Sequence, residues 1–146
     1  MGKYVISCCS TADLSKEHFE ERDIKYICFK YYLDDVYYPD DLGQTMSFED
    51  FYQKMVDGAD TKTSQINAEE YTEYFESFLK EGKDLIHLCL SSGISGSCNS
   101  AMIAKNELEE KMNTAFGKIF TIKSVHGKME PEEKEAVMND FEKGKI

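Results

Sequence analysis

Apolar and polar positions along this chain follow two different periods. Lys3 to Cys8 (KYVISC) is a short apolar run, and Asp84 to Leu90 (DLIHLCL) is almost continuously apolar. Runs of that kind suit strands covered on both faces of a parallel sheet. Ile24 to Leu33 (IKYICFKYYL) reads as another strand, dense in aromatic and β-branched residues. The acidic pair Asp34-Asp35 lies between YYL and VYY, which predicts a small hairpin turning there. Lys118 to Ile122 (KIFTI) is a further strand candidate.

Between these runs the period lengthens to that of a helix. Ser47 is placed to cap a helix reaching about Val56, with Gly58 near its end. Asn67 and Glu70 have capping-box spacing. Tyr71, Tyr74, Phe75, Phe78 and Leu79 then follow i, i+3, i+4, i+7, i+8, one buried face, and Gly82 ends the helix. This aromatic stripe reads as core packing rather than a cofactor site. A third helix is expected from about Ser97 to Lys111, and Pro131 suits the first turn of a last one, with Ala136, Val137, Met138 and Phe141 packing on the sheet. Alternating strands and helices imply βαβ units. The predicted architecture is a three-layer α/β/α domain with a mainly parallel sheet and helices on both faces.

Composition narrows the function. The 146 residues are 41% hydrophobic and 31% charged, ordinary for a globular domain. The net charge of −11 argues against nucleic acid or an anionic membrane surface, because phosphates are bound by clustered Lys and Arg. No apolar run approaches the roughly 18 residues of a spanning helix, and the N-terminus lacks a secretory pattern, so a cytoplasmic location is expected. The five cysteines, Cys8, Cys9, Cys28, Cys89 and Cys98, include no CxxC pair, and His18, His87 and His126 are scattered. Buried reduced thiols are expected, with Cys28 and Cys89 inside strands, and neither a metal site nor a cofactor. His87 reads as a satisfied core histidine. A redox role for Cys8-Cys9 is the sharper alternative, with no activating neighbour legible.

Three hydroxyl-rich segments carry the candidate chemistry: Ser10-Thr11, Thr63-Ser64-Gln65, and Ser91 through Ser97 (SSGISGS). The first and third follow predicted strands; the second and third precede helices. Loops at the carboxyl ends of parallel strands form the ligand crevice of such sheets. Helix N-termini there offer unpaired N–H groups and a positive dipole end. Gly93 and Gly96 would let backbone approach a ligand. An anionic group such as a carboxylate fits this set, although each segment taken alone reads first as caps and turns. The loop is neither a P-loop, which needs GxxxxGK[ST], nor a GxSxG elbow, and no base is nominated for a serine nucleophile.

At these segments the chain resembles the DegV family: CCSTADL (Cys8 to Leu14), TKTSQINAEEY (Thr61 to Tyr71) and LSSGISGSCNSAMIA (Leu90 to Ala104). The resemblance covers residues 3–110 and implies a long-chain fatty acid held between two lobes, of which this is the first. It implies a non-enzymatic lipid-binding protein which, in some members, presents the acyl carboxylate to a fatty acid kinase. By matching position Thr63, Ser64, Ser92 and the neighbouring Ser91, Gly93, Ser95 and Gly96 would hold the carboxylate, with Ser10 and Thr11 lining the same end. Two departures stand out. Cys9 occupies a position where the family usually has Asp, and the second lobe is missing.

Residues 123–146 (KSVHGKMEPEEKEAVMNDFEKGKI) resemble instead a piece of the RecG-type DNA helicase motor. The expected division is a lobe over 1–122 and a helicase-like tail over 123–146, left by a fusion, an internal deletion or an assembly artefact. Two alternatives to lipid binding stay open: a remnant with little or no ligand binding and an exposed apolar face, and an enzyme acting on a small anionic substrate at the same loops.

Overall fold

The computed structural model describes residues 4–116 and 129–143. The strand expected at 118–122, His126 and the far end of the tail lie outside them. β1 (Tyr4–Cys9) runs parallel to β2 (Lys25–Ile27) on one side and β6 (Asp84–Leu88) on the other, in the order β2-β1-β6. This α/β arrangement with a parallel sheet matches the expected class. A second sheet is antiparallel, ordered β4-β3-β5, from β3 (Lys30–Leu33), β4 (Val36–Pro39) and β5 (Thr61–Ser64).

The run from Ile24 to Leu33 is therefore not one strand. It breaks at Cys28-Phe29, and Ser10 explains the break. The Phe29 N–H donates to Ser10 Oγ at 3.0 Å, and the Phe29 carbonyl accepts from the Asp40 N–H at 2.9 Å. Those backbone groups are spent on the junction between sheets, and Cys28 lies in neither ladder; Cys89, also expected inside a strand, falls just past β6. The hairpin forms where the acidic pair predicts it. Asp34 and Asp35 have φ of 47° and 63°, left-handed values that short polar side chains tolerate.

α1 (Lys16–Glu21), which the periodicity does not reveal, is a six-residue helix; Ser15 caps it and it buries only Phe19. α2 (Phe48–Val56) starts on Ser47, whose hydroxyl accepts the Asp50 N–H. α3 (Ala68–Leu79) has the full capping box between Asn67 and Glu70. Gly82 follows it with φ 72°, its N–H on the Leu79 carbonyl. α4 (Ser97–Phe116) packs along α3, the small Ala101 and Ala104 admitting Tyr71 and Phe75 to a core shared with Ile66, Leu108 and Cys9. Each such large side chain contributes about 1.5–3 kcal/mol when fully buried.

α5 (Pro131–Glu142) starts at the proline, as the sequence predicts, but Ala136 and Met138 are exposed. Ala136, Val137 and Met138 are consecutive, so they fan around the helix rather than stacking on one face. No described helix is long and apolar enough to cross a membrane.

The two faces of the parallel sheet differ. α3 covers the side of Val5, Ser7 and Cys9. Tyr4, Ile6 and Leu88, on the other side, are 50%, 38% and 50% exposed among the described residues.

Candidate functional site

The carboxyl ends of β1 and β6 lie side by side, since Cys8 is in register with Leu88. The segments that follow them, Ser10-Thr11 and the loop 91–97, therefore leave the sheet at one rim. The Thr63-Ser64-Gln65 segment reaches the same rim through two contacts. The Ile66 N–H donates to Ser97 Oγ at 3.2 Å, both residues being buried. The Gln65 side chain lies on Gly96 so closely that a methyl group there would overlap its amide oxygen. The hydroxyls of Ser95 and Ser97 are 3.2 Å apart, and the Ser97 N–H returns to Ser95 Oγ at 3.2 Å. Ser97 is thus the hub joining the β5–α3 loop to the N-terminus of α4.

Donor accounting shows what this rim has free. The Ser91 carbonyl takes the N–H groups of Ile94 and Ser95, and Ser91 Oγ takes that of Gly93. Those three amides brace the loop and do not face a ligand. The amides of Gly96, Cys98 and Asn99 are without an acceptor among the described residues, as expected at the start of a helix. No acidic residue stands in the first turn of α4, whereas the other four helices each carry at least one. A carboxylate approaching α4 meets the positive end of its dipole with no competing side chain.

The predicted site residues divide into three groups. Thr11, Thr63 and Ser92 are exposed, and no described side chain takes their hydroxyls. Ser64, Ser91, Ser95, Gly93 and Gly96 form or brace the two loops. Ser10 is corrected from ligand donor to anchor. It is 2% exposed, donates to Asp40 Oδ2 at 2.7 Å and accepts from Phe29. Its proton is committed to Asp40, which sequence reasoning missed because nothing local couples positions 30 residues apart. Gln65 and Ser97 lie in the candidate segments but had no role assigned from the sequence; the structure makes them the residues that join the two loops. The signal was present: a glycine at 96, opposite a motif ending in Gln65, marks a close approach.

Below the rim the core is polar in one place. His87 Nδ1 and Tyr74 OH both meet Ser7 Oγ, at 2.9 and 2.7 Å. The imidazole is ringed by Tyr71, Tyr74 and Phe75, and burial lowers its pKa to about 4. It is the satisfied core histidine the sequence predicts. Cys9 turns into this core and contacts the Tyr71 hydroxyl at 3.3 Å, so it does not reach the rim at all. All five thiols are free. Burial pushes Cys8 and Cys28 up to about 11 and Cys89 to about 12, the opposite of an activated redox pair. A separate pocket of about 300 Å³, lined by Phe19, Ile24, Tyr26, Tyr74 and Phe78, takes no part in the rim.

Comparison with known proteins places this geometry. The family model described as "Uncharacterised protein, DegV family" matches residues 4–130. The chain belongs to the DegV family. A DegV domain-containing protein of Clostridium perfringens is 37% identical over 119 residues, covering 82% of this chain and 41% of the relative. A DegV domain-containing 15.5 kDa protein of Staphylococcus aureus is 28% identical over 131 residues and is itself covered to 92%. The crystal structure of a stearic acid-binding protein from Eubacterium ventriosum superposes with a TM-score of 0.71 at 30% identity, over 94% of this chain and 46% of that one. The chain thus spans about two fifths to a little over half of the length of these longer DegV relatives. The helicase resemblance of residues 123–146 finds no support among these proteins, and the DegV match continues to residue 130, inside that stretch.

Proposed function

We propose that this lobe holds a long-chain fatty acid by its carboxylate at the rim formed by Thr63, Ser64, Ser92 and the start of α4. The observation that carries the reading is the junction of two loops through Ile66–Ser97 and Gln65–Gly96, which sets free hydroxyls beside unpaired amides. The stearic acid-binding relative supports the ligand class. Ser91, Gly93, Ser95 and Gly96 shape the loop, Thr11 borders it, and Ser10 with Asp40 fixes its floor. The role is binding, without a catalytic residue. By the same family resemblance, the loaded carboxylate is presented in the cytoplasm to a fatty acid kinase subunit.

The acyl tail sets the affinity. Each CH₂ left in water forfeits about 0.8 kcal/mol, so a lobe that covers only the head group binds weakly. Native mass spectrometry of protein purified from a bacterial host tests the reading: a sub-stoichiometric fatty acid adduct supports it, and protein that stays empty when incubated with oleate contradicts it.

A second reading draws on the exposed Tyr4, Ile6 and Leu88. As a remnant without ligand, the chain would self-associate through that face. Light scattering showing a monomer sets it aside. The division at 122/123, with α5 as an appendage beyond the lobe, belongs to the same proposal; its support is the exposure of Ala136 and Met138.

A further inference from the structure

We propose that α2 and the adjoining hairpin form a docking surface for a polypeptide whose own face is apolar at the centre and basic at the rim. α2 carries Phe48, Phe51, Tyr52, Met55 and Val56 at i, i+3, i+4, i+7 and i+8, the spacing that in α3 lines the core. In α3 that stripe buries Tyr71 and Phe75. In α2 it buries nothing: Phe48 is 57% exposed, Tyr52 63%, Met55 42% and Val56 80%. Phe51 meets the antiparallel sheet, edge-on to Tyr31 at 5.1 Å. Val36 of β4, about half exposed and on the sheet face that Tyr31 shares with Phe51, extends the apolar area. A contiguous apolar patch of this kind marks an interaction surface.

Charge decides what fits it. From Asp34 to Asp60 the chain carries Asp34, Asp35, Asp40, Asp41, Glu49, Asp50, Asp57 and Asp60 against Lys54 alone. Lys62, just beyond, is already paired with Asp35 and Asp60. A second copy meeting this surface face to face would set like charge against like, and nucleic acid or an anionic lipid surface would be repelled. A basic polypeptide gains both the apolar burial and the complementary rim. The surface lies on β4 and α2, apart from the Ser91–Ser97 loop, so the proposal stands or falls independently of fatty acid binding.

The test titrates the ¹⁵N-labelled chain with a synthetic amphipathic helix built only of Leu and Lys, alongside a Leu/Glu helix of the same pattern and a Ser/Lys helix of the same charge. The proposal expects saturable shifts at Val36, Phe48, Tyr52 and Val56 with the Leu/Lys helix alone. Affinity should weaken about tenfold or more between low and physiological salt. The exposed double variant Tyr52→Ser/Val56→Ser should lose binding with an unchanged melting temperature. Equal binding of the Leu/Glu helix, shifts confined to another face, or an unaffected double variant would overturn it. So would a dimer that the double variant dissolves, which would assign the face to a second copy.

Discussion

The backbone N–H of Ile66 donates to the hydroxyl of Ser97, 3.2 Å away, at a point where the two residues are 1% and 0% exposed. One bond between positions 31 residues apart ties the β5–α3 loop to the first residue of α4. Replacing Ser97 with Ala leaves that amide buried without an acceptor, a loss of about 1–3 kcal/mol. Urea unfolding measures it. A change under about 0.5 kcal/mol, the range of ordinary surface substitutions, would show that the loops are not joined this way.

Gly96 and Gln65 form the second tie. A Cβ at 96 meets the flexible end of Gln65, so Gly96→Ala should displace that side chain at little cost in stability, under about 1 kcal/mol. Oleate affinity should nonetheless fall, and the double variant Gly96→Ala/Gln65→Ala should recover part of it. Calorimetric titration of the wild type, Gly96→Ala, Gln65→Ala and the double variant reads the coupling; purely additive losses would remove Gln65 from the site.

The buried imidazole of His87 gives a pH signature. Its folded pKa of about 4 lies below the ordinary 6.5, with desolvation as the cause. The unfolded chain therefore takes up the proton first. The contribution is complete above pH 6.5 and is lost as pH falls toward 4. At roughly 1.4 kcal/mol per unit, the loss approaches about 3 kcal/mol. Comparing urea midpoints at neutral pH and near pH 5 for the wild type and His87→Gln isolates this from the carboxylates. Parallel pH dependences would contradict it.

Thiol chemistry should be quiet. With Cys8 and Cys28 pushed up to about 11 and Cys89 to about 12 by burial, few thiolates exist near neutral pH. A chromogenic disulfide reagent should label the native protein slowly and the urea-unfolded protein fast. Rapid native labelling of Cys8 or Cys9 would reopen a redox role.

The elements with strong local signals were legible: the capping box at Asn67 and Glu70, the aromatic face of α3, the hairpin at Asp34-Asp35 and the parallel strands β1 and β6. The rest depended on contacts distant in sequence. Nothing near Phe29 shows that Ser10 intercepts its amide and turns one apparent strand into parts of two sheets. Residues 61–64 carry two threonines, which suit a strand, but the segment is too short to show alternation, and its pairing with β3 fixes it. For the site, strand ends and helix starts marked three segments that the structure brings to one rim, but which hydroxyls were free was a matter of partners. Ser10 looked like Thr11 until Asp40 was placed against it.

The carboxylate cradle is tested most directly by amide spectra of the ¹⁵N-labelled chain titrated with oleate and, separately, with oleyl alcohol. The account predicts saturable shifts at Thr63, Ser64, Ser92, Gly96 and Asn99 with the acid, much reduced with the alcohol, and abolished by Thr63→Val/Ser92→Ala in a protein that still melts normally. Identical responses to acid and alcohol, or shifts confined to the pocket at Phe19 and Phe78, would contradict it.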